Sequence, residues 1–306
     1  MPAPDTFDAG GDRVVPCPPA RRQEAIMQLA AAGHGAGRAE LAQAVADHQK
    51  TPDHGWDGLL VALRGQTLKA ALWVQPLPGN TAQLWPPCAC GARGALLRGA
   101  RRWVRRRGFA LCQAVLGPDD ADAAAALKDA GMMLVAPLEY LTAPVAPAAT
   151  TVRLGPWDAL DRAGQIAVIA DVQKNSLDCV ALCETLGATA LLTGFYQQDD
   201  TAPAHWSAVY LDDREPPQPV GALLLAPRPA VDGMEVLLMG LAPEARGQGL
   251  GRAVLDAAFA RAHAAGARRL LLSVDTTNTP ARRLYARAGF VGYAQRHVYA
   301  WLKRSG

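Results

Sequence analysis

Residues Arg246 to Arg252 read Arg-Gly-Gln-Gly-Leu-Gly-Arg, three glycines at alternate positions between two arginines. Glycine lets the main chain approach an anion with no Cβ in the way. A chain that runs from such a turn straight into a helix aims unpaired N–H groups and the positive end of the helix dipole at one point. Phosphate oxygens suit that chemistry. Two nucleotide loops are excluded by spacing: no lysine follows these glycines to complete a Walker loop, and GxGxG is not the GxGxxG of a dinucleotide fingerprint.

The elements that must position this loop are legible on both sides. Met234 to Leu241 is a nearly continuous apolar run ended by Pro243, which predicts a strand buried on both faces. From Leu250 the period changes: Leu250, Val254, Leu255, Ala258, Phe259 and Ala262 predict an amphipathic helix stopped by Gly266. Arg252 and Asp256 lie four apart on its polar side. Arg268 to Val274 then predicts a second buried strand, and a strand-helix-strand crossover requires parallel pairing. A further helix is expected from Thr279-Pro280 to Ala288-Gly289, and one or two closing strands from Val291 to Leu302. The expected fold class is α/β (α+β) with a mixed sheet.

Arg246, Gly249 and Gly251 satisfy the pattern [QR]-x-x-G-x-[GA]. Around it stand Leu241-Ala-Pro-Glu, Asn278, Pro280, Ala281, Leu284-Tyr285 and Ala288-Gly289-Phe290 in order. The segment resembles the pyrophosphate loop of the GNAT acyltransferase superfamily, and the resemblance covers most of the chain from Thr151 onward. It implies acetyl-CoA as co-substrate, bound between two splayed parallel strands with no metal. Main-chain groups near Met239 and Leu241 would pair with the pantetheine arm. The amides of Arg246, Gly247, Gln248, Gly249, Leu250, Gly251 and Arg252 would hold the pyrophosphate, and Asn278 would contact the cofactor near its arm. Tyr285 matches the position of a general acid, a phenol being protonated at neutral pH. Glu235 stands where some members carry a general base, with His297 and Asp275 as alternatives. With simple alternation, Val236, Leu238 and Gly240 would share one face and Glu235, Leu237 and Met239 the other. Asp178 and Cys179 fall in a segment that in such folds lies over the acceptor. Asp178 is suited to a cationic amine, and Cys179 reads as a packed small residue.

At a constant offset of 158 residues, Gly91 falls on Gly249, Gly108 on Gly266, Leu97 on Leu255 and Ala130-Gly131-Met132 on Ala288-Gly289-Phe290. Two tandem domains are expected, 1–146 and 147–306, each a mixed, mostly antiparallel sheet flanked by helices around a parallel crossover. Thr142 to Thr151, with two prolines and small residues, reads as the linker, and Arg214-Glu-Pro-Pro-Gln-Pro as a loop between strands. At the same offset Cys88 replaces Arg246, Arg93 replaces Gly251, Asp120 replaces Asn278 and Leu127 replaces Tyr285. The first copy is therefore expected to be degenerate, with one acetyl-CoA bound per chain.

The remaining features narrow the partners. The chain has 306 residues and 31 − 28 = +3 net charge, too little for a surface-wide field toward nucleic acid. The basic helix with Arg98, Arg101, Arg102, Arg105, Arg106 and Arg107 around Trp103 carries a buried stripe of Leu97, Ala100 and Val104, and reads as a solvated face rather than a nucleic-acid site. The six cysteines lack paired CxxC spacing, so neither zinc nor a disulfide framework is expected, and Cys112 reads as a core residue. No apolar run approaches the roughly 20 residues that span a bilayer, and Met1 to Asp5 has no leader-like character; no membrane partner and a cytoplasmic location are expected. The activity expected is N-acetyl transfer to a small-molecule or peptide amine by direct attack. A silent acyl-CoA-binding or interaction module is the alternative, and a nucleic-acid adaptor a third reading.

Overall fold

The computed structural model describes residues 7–9, 12–32, 36–50, 55–198, 202–211 and 217–303. The expected Pro-rich loop at Arg214 begins outside them. The chain divides into two compact units, Met1–Leu134 with His297–Gly306 and Val135–Arg296. These are not the linear stretches 1–146 and 147–306.

In the first unit, β1 (Phe7–Ala9), β2 (Asp12–Pro16), α1 (Arg22–Ala32), α2 (Ala36–Gln49), β3 (Leu59–Arg64), β4 (Thr67–Leu77), β5 (Thr81–Trp85), α3 (Arg93–Arg107), β6 (Leu111–Leu116) and α4 (Ala121–Asp129) succeed one another in order. Strands β1 to β5 pair antiparallel with their neighbours in sequence. β5 and β6 are parallel, joined by α3. α3 buries Leu96, Leu97, Ala100 and Val104 against the sheet and ends at left-handed Gly108. Cys112 is fully buried in the same core.

The second unit begins within β7 (Met133–Pro144) and continues through β8 (Arg153–Pro156), α5 (Arg162–Gln173), α6 (Val180–Thr185), α7 (Ala188–Gln198), β9 (Ser207–Tyr210), β10 (Pro219–Arg228), β11 (Gly233–Leu241), α8 (Leu250–Ala264), β12 (Arg269–Asp275) and α9 (Thr279–Arg287) into β13 (Val291–Leu302). Its sheet runs β8-β9-β10-β11-β12-β7, antiparallel except for β11 and β12. Val254, Leu255, Ala258 and Phe259 of α8 pack on one face, and Val168, Ile169 and Val172 of α5 on the other. A fully buried Leu such as Leu255 contributes about 1.5–3 kcal/mol.

Two strands account for the non-linear division. Leu138 to Pro144 of β7 pair antiparallel with β12 in the second unit. His297 to Leu302 of β13 pair with β6 in the first, where Tyr299 and Trp301 join the core and Trp301 Nε1 donates to Ala130 O at 3.1 Å. The expected linker is thus partly strand: Thr142, Ala143 and Pro144 face Leu271, Leu270 and Arg269. Small residues and prolines conceal a strand whose partner is distant in sequence.

The repeat holds structurally, with one interruption. β6 and β12, and α4 and α9, begin at 111 and 269 and at 121 and 279, both 158 apart. The strands before them differ: Thr81 pairs with Leu111, but Gly233 pairs with Arg269, so the offset there is 233 − 81 = 152. The first copy therefore lacks six residues between its strand and its helix.

Candidate active site

β11 and β12 are parallel partners only from Gly233 and Arg269 to Val236 and Leu272; beyond that they are unpaired. The cause lies in β11 itself. On its other side Leu225 faces Val236 while Leu224 faces Leu238, so Leu237 is an extra, bulged residue. A bulge bends its strand and re-aims the residues beyond it. It also breaks the alternation expected from sequence: Met234, Val236, Met239 and Leu241 belong to the α8 side, whereas Leu237 and Leu238 both pack with α5 and α7. Met239 and Leu241 thus lie on a stretch that keeps its β10 partners, Leu223 and Gly221, and has no strand on the other side. The half-buried stretch from Leu237 to Gly240, with no strand on this side, suits an extended polar ligand that bonds as a strand would.

The glycine loop opens at the same end. Arg246 is extended, Gly247 and Gly249 adopt φ of 75° and 80°, and α8 starts at Leu250 with no side chain capping it. A Cβ at Gly247 or Gly249 would meet nothing within 4 Å, and Gly247, Gln248 and Gly249 are exposed. Glycine is needed there for conformation, and the helix start is left without a capping side chain, with Arg252 N bonded to Gly249 O at 3.0 Å. Both arginines are engaged within the protein. Arg246 donates to Leu241 O, Asn175 O and Val172 O, each at 2.9 Å. Arg252 bonds both oxygens of Asp256 at 2.9 and 3.0 Å. Any anion here is held by backbone, with Gln248 itself turned to Glu244 O.

The segment between α5 and α6 crosses from one strand end to the other. Arg246 ties its start to the end of β11. Further along, Asp178 Oδ1 accepts from Asp275 N at 2.9 Å, tying it to the end of β12. Asp178 is thereby used inside the protein. Burial raises its carboxyl above the usual range, outweighing the Asp275 N–H and the Asn278 side chain, which favour the charged form. Asn278 caps α9, accepting from Ala281 N at 3.3 Å. Cys179 is left-handed at φ 46°, and burial, then Asp178, push its thiol well above the normal range, so it is not a thiolate nucleophile. Asp275, 3% exposed, accepts from Thr277 N and Oγ1.

Tyr285 stands on α9. Its ring packs against Phe290 with centroids 5.6 Å apart, and the residue is 7% exposed. Burial, and next the charge of Asp178, raise the phenol far above its ordinary value, so it stays protonated at neutral pH. Glu235 lies on the opposite face of the sheet from Val236, where Oε2 accepts from Arg228 Nε at 2.6 Å. The Glu235 side chain in this ion pair is 28% exposed. Tyr293 is close enough for that charge to act on its phenol. His297 belongs to the first unit, where it pairs with Leu116. Arg228 and the carbonyls of Val172 and Asn175 are not legible from sequence as parts of the site. The six-residue difference between the repeats is the available signal for the bulged strand.

In the first unit Gln83 stands at the register of Glu235: it pairs with Gln113, and Glu235 with Leu271, 158 residues on. Arg93, at the place of Gly251, forms a bidentate pair with Asp122 at 2.8 and 3.1 Å. Among the described residues of the whole chain, no group of three or more His, Cys, Asp or Glu could hold a metal ion, and no helix is long and apolar enough to cross a membrane.

The acetyltransferase (GNAT) family model matches residues 172–290, from the last turn of α5 to the third residue after α9. Mycothiol acetyltransferase from Geodermatophilus obscurus is 37% identical over 91 residues, 30% of this chain and 25% of that protein. The match spans about a quarter of the length of such curated relatives. A GCN5-related N-acetyltransferase from Sphaerobacter thermophilus superposes with a TM-score of 0.62 at 15% identity, over 97% of this chain and 98% of that one. A tandem GNAT protein from the clavulanic acid biosynthesis pathway gives 0.50 at 16%, over 96% and 100%. At such identities the two structures speak for fold alone. The matched segment, residues 172–290, spans the bulged strand, the glycine loop and Tyr285 and is similar to the GNAT acetyltransferase family, and the chain has the fold of tandem GNAT proteins.

Proposed function

We propose that the second unit is an N-acetyltransferase that binds acetyl-CoA in the wedge between β11 and β12 and passes the acetyl group to a small-molecule amine. The observation that carries this reading is the coincidence, at one end of the sheet, of an unpaired strand edge and an uncapped, exposed glycine-rich helix start. The residues present fit the group: the edge from Leu237 to Leu241 suits the amides of the pantetheine arm, and the backbone from Gly247 to Arg252 suits a diphosphate. Acetyl-CoA supplies the thioester that the amine attacks.

The residues of the chain divide the proton traffic. Tyr285, protonated and buried beside the wedge, donates to the departing thiolate from its hydroxyl. Glu235, paired with Arg228, accepts the proton of the amine directly or through water. The two groups lie on opposite sides of the sheet, as acid and base acting on the two ends of a reaction through the gap would require. Asn278 holds the start of α9 and so the place of Tyr285. The curated relatives' name makes mycothiol-type amines the first acceptors to screen.

The test is thiol release from acetyl-CoA across a panel of amines, with calorimetry on the same protein. One coenzyme per chain and a rate that falls on Tyr285→Phe are expected. Coenzyme binding without transfer to any amine would favour the silent binding module, and two equivalent sites per chain would contradict a degenerate first copy.

A further inference from the structure

We propose that Asp178 is a positioning residue of the transfer reaction, fastening the wall of the acceptor site to the open end of the wedge with its carboxyl beside Asn278, the cap of the helix that carries Tyr285. The proposal rests on the reading of the wedge as the transfer site.

Three observations carry it. The bond from Asp275 N to Asp178 Oδ1 joins residues 97 positions apart and lands on the last residue of β12, at the mouth of the gap. With Arg246 gripping Val172 and Asn175 from the other lip, the intervening segment is strapped across both strand ends by two charged side chains. Next, the turn is held in a costly conformation: Cys179 is left-handed at φ 46° without being glycine. Such strain persists where surrounding contacts over-determine it. Here Ser176 Oγ accepts from Asp178 N, and Cys183 Sγ donates to Asp178 O. Leu177 and Val180, on either side, are 53% and 43% exposed, so the strap offers apolar side chains outward while its carboxylate points in.

The third observation is chemical. A carboxylate is an expensive anchor, because burial opposes its charge, and a neutral side chain could accept the same N–H. The titratable groups coupled to it by charge include Asp275, the thiols of Cys179 and Cys183, and Tyr285. A negative charge beside a phenol disfavours the phenolate. Removing that charge should therefore lower the midpoint of the phenol.

Two substitutions in the full chain separate the parts. Asp178→Asn keeps an acceptor for Asp275 N and removes the charge; Asp178→Ala removes both. With Tyr285 replaced by a difluorotyrosine, which ionises at lower pH, fluorine NMR tracks the phenol directly. Its midpoint should fall by about one pH unit on Asp178→Asn. Hydrogen exchange at Asp275 and through residues 174–179 should quicken at least about tenfold on Asp178→Ala and change little on Asp178→Asn. A phenol midpoint unmoved by Asn, or exchange unmoved by Ala, overturns the proposal. Neither readout uses acetyl-CoA or an acceptor, so failure of the transfer reading would show separately, as absence of thiol release. With an accepted amine, Asp178→Ala should lower kcat while leaving KM for acetyl-CoA unchanged.

Discussion

Arg246 donates through Nη2 to the carbonyl oxygen of Val172 at 2.9 Å, across 74 positions of sequence. The same guanidinium bonds Leu241 O at the end of β11 and Asn175 O beyond α5. A planar fork of donors satisfies three carbonyls that no secondary structure completes. The arginine of the glycine loop therefore acts on the frame around the loop.

Arg246→Ala should cost about 2–3 kcal/mol of stability, since charged hydrogen bonds are lost and acceptors are left unpaired. Arg246→Lys, with a single point of donation, should recover only part. Urea unfolding of the three proteins measures this; a loss below about 0.5 kcal/mol for alanine would show that the fork is dispensable.

Gly249 and Gly251 should separate folding from binding. At φ 80°, Gly249→Ala strains the backbone and costs roughly 1–2 kcal/mol. Gly251 lies in the helix with room beside it: a Cβ there would sit 3.6 Å from Leu284 Cδ2. Gly251→Arg, which installs the residue found at Arg93, should leave stability nearly unchanged and weaken coenzyme A binding at least about tenfold. Titration calorimetry decides, and unchanged affinity would remove the loop from the site.

Deleting Leu237 should restore register between β10 and β11 and let β11 continue beside β12. The expected outcome is a folded protein with far weaker coenzyme binding, checked by circular dichroism and calorimetry. Retained affinity would mean that the bulge does not make the wedge.

Asp178 provides a pH test of sign. Its folded-state pKa is raised above the ordinary value of 3.8. Its contribution to stability is therefore fully present below about pH 4 and is lost as pH rises through the folded value. Asp178→Asn carries no charge at either pH, so its unfolding midpoint relative to the unaltered chain should shift upward between about pH 3 and pH 7. A relative shift in the other direction would mean that the carboxylate is stabilised by its surroundings.

The exchanged strands predict which fragments fold. Residues 135–296 retain β7 beside β12 and should give a cooperative thermal transition. Residues 147–306 leave β12 with an unpaired edge, and such edges aggregate. Comparison of soluble yield and melting of the two fragments is decisive; a well-folded 147–306 would show that β7 is dispensable.

The legible features are local. Glycines at alternate positions before an amphipathic run, apolar blocks of strand length and glycine stops all act within a few residues of themselves. The glycine loop, α8, β12, α9 and Tyr285 are therefore readable near their places, and the 158-residue offset reveals the duplicated order. The features that tertiary structure alone decides depend on partners distant in sequence. The bulge at Leu237 exists only against β10; β7 is a strand because β12 needs an edge partner; Arg246, Asp178 and Asn278 are committed by the carbonyls and N–H groups brought to them. A side chain's type shows which bonds it can make, but folding brings together the groups that compete for those bonds.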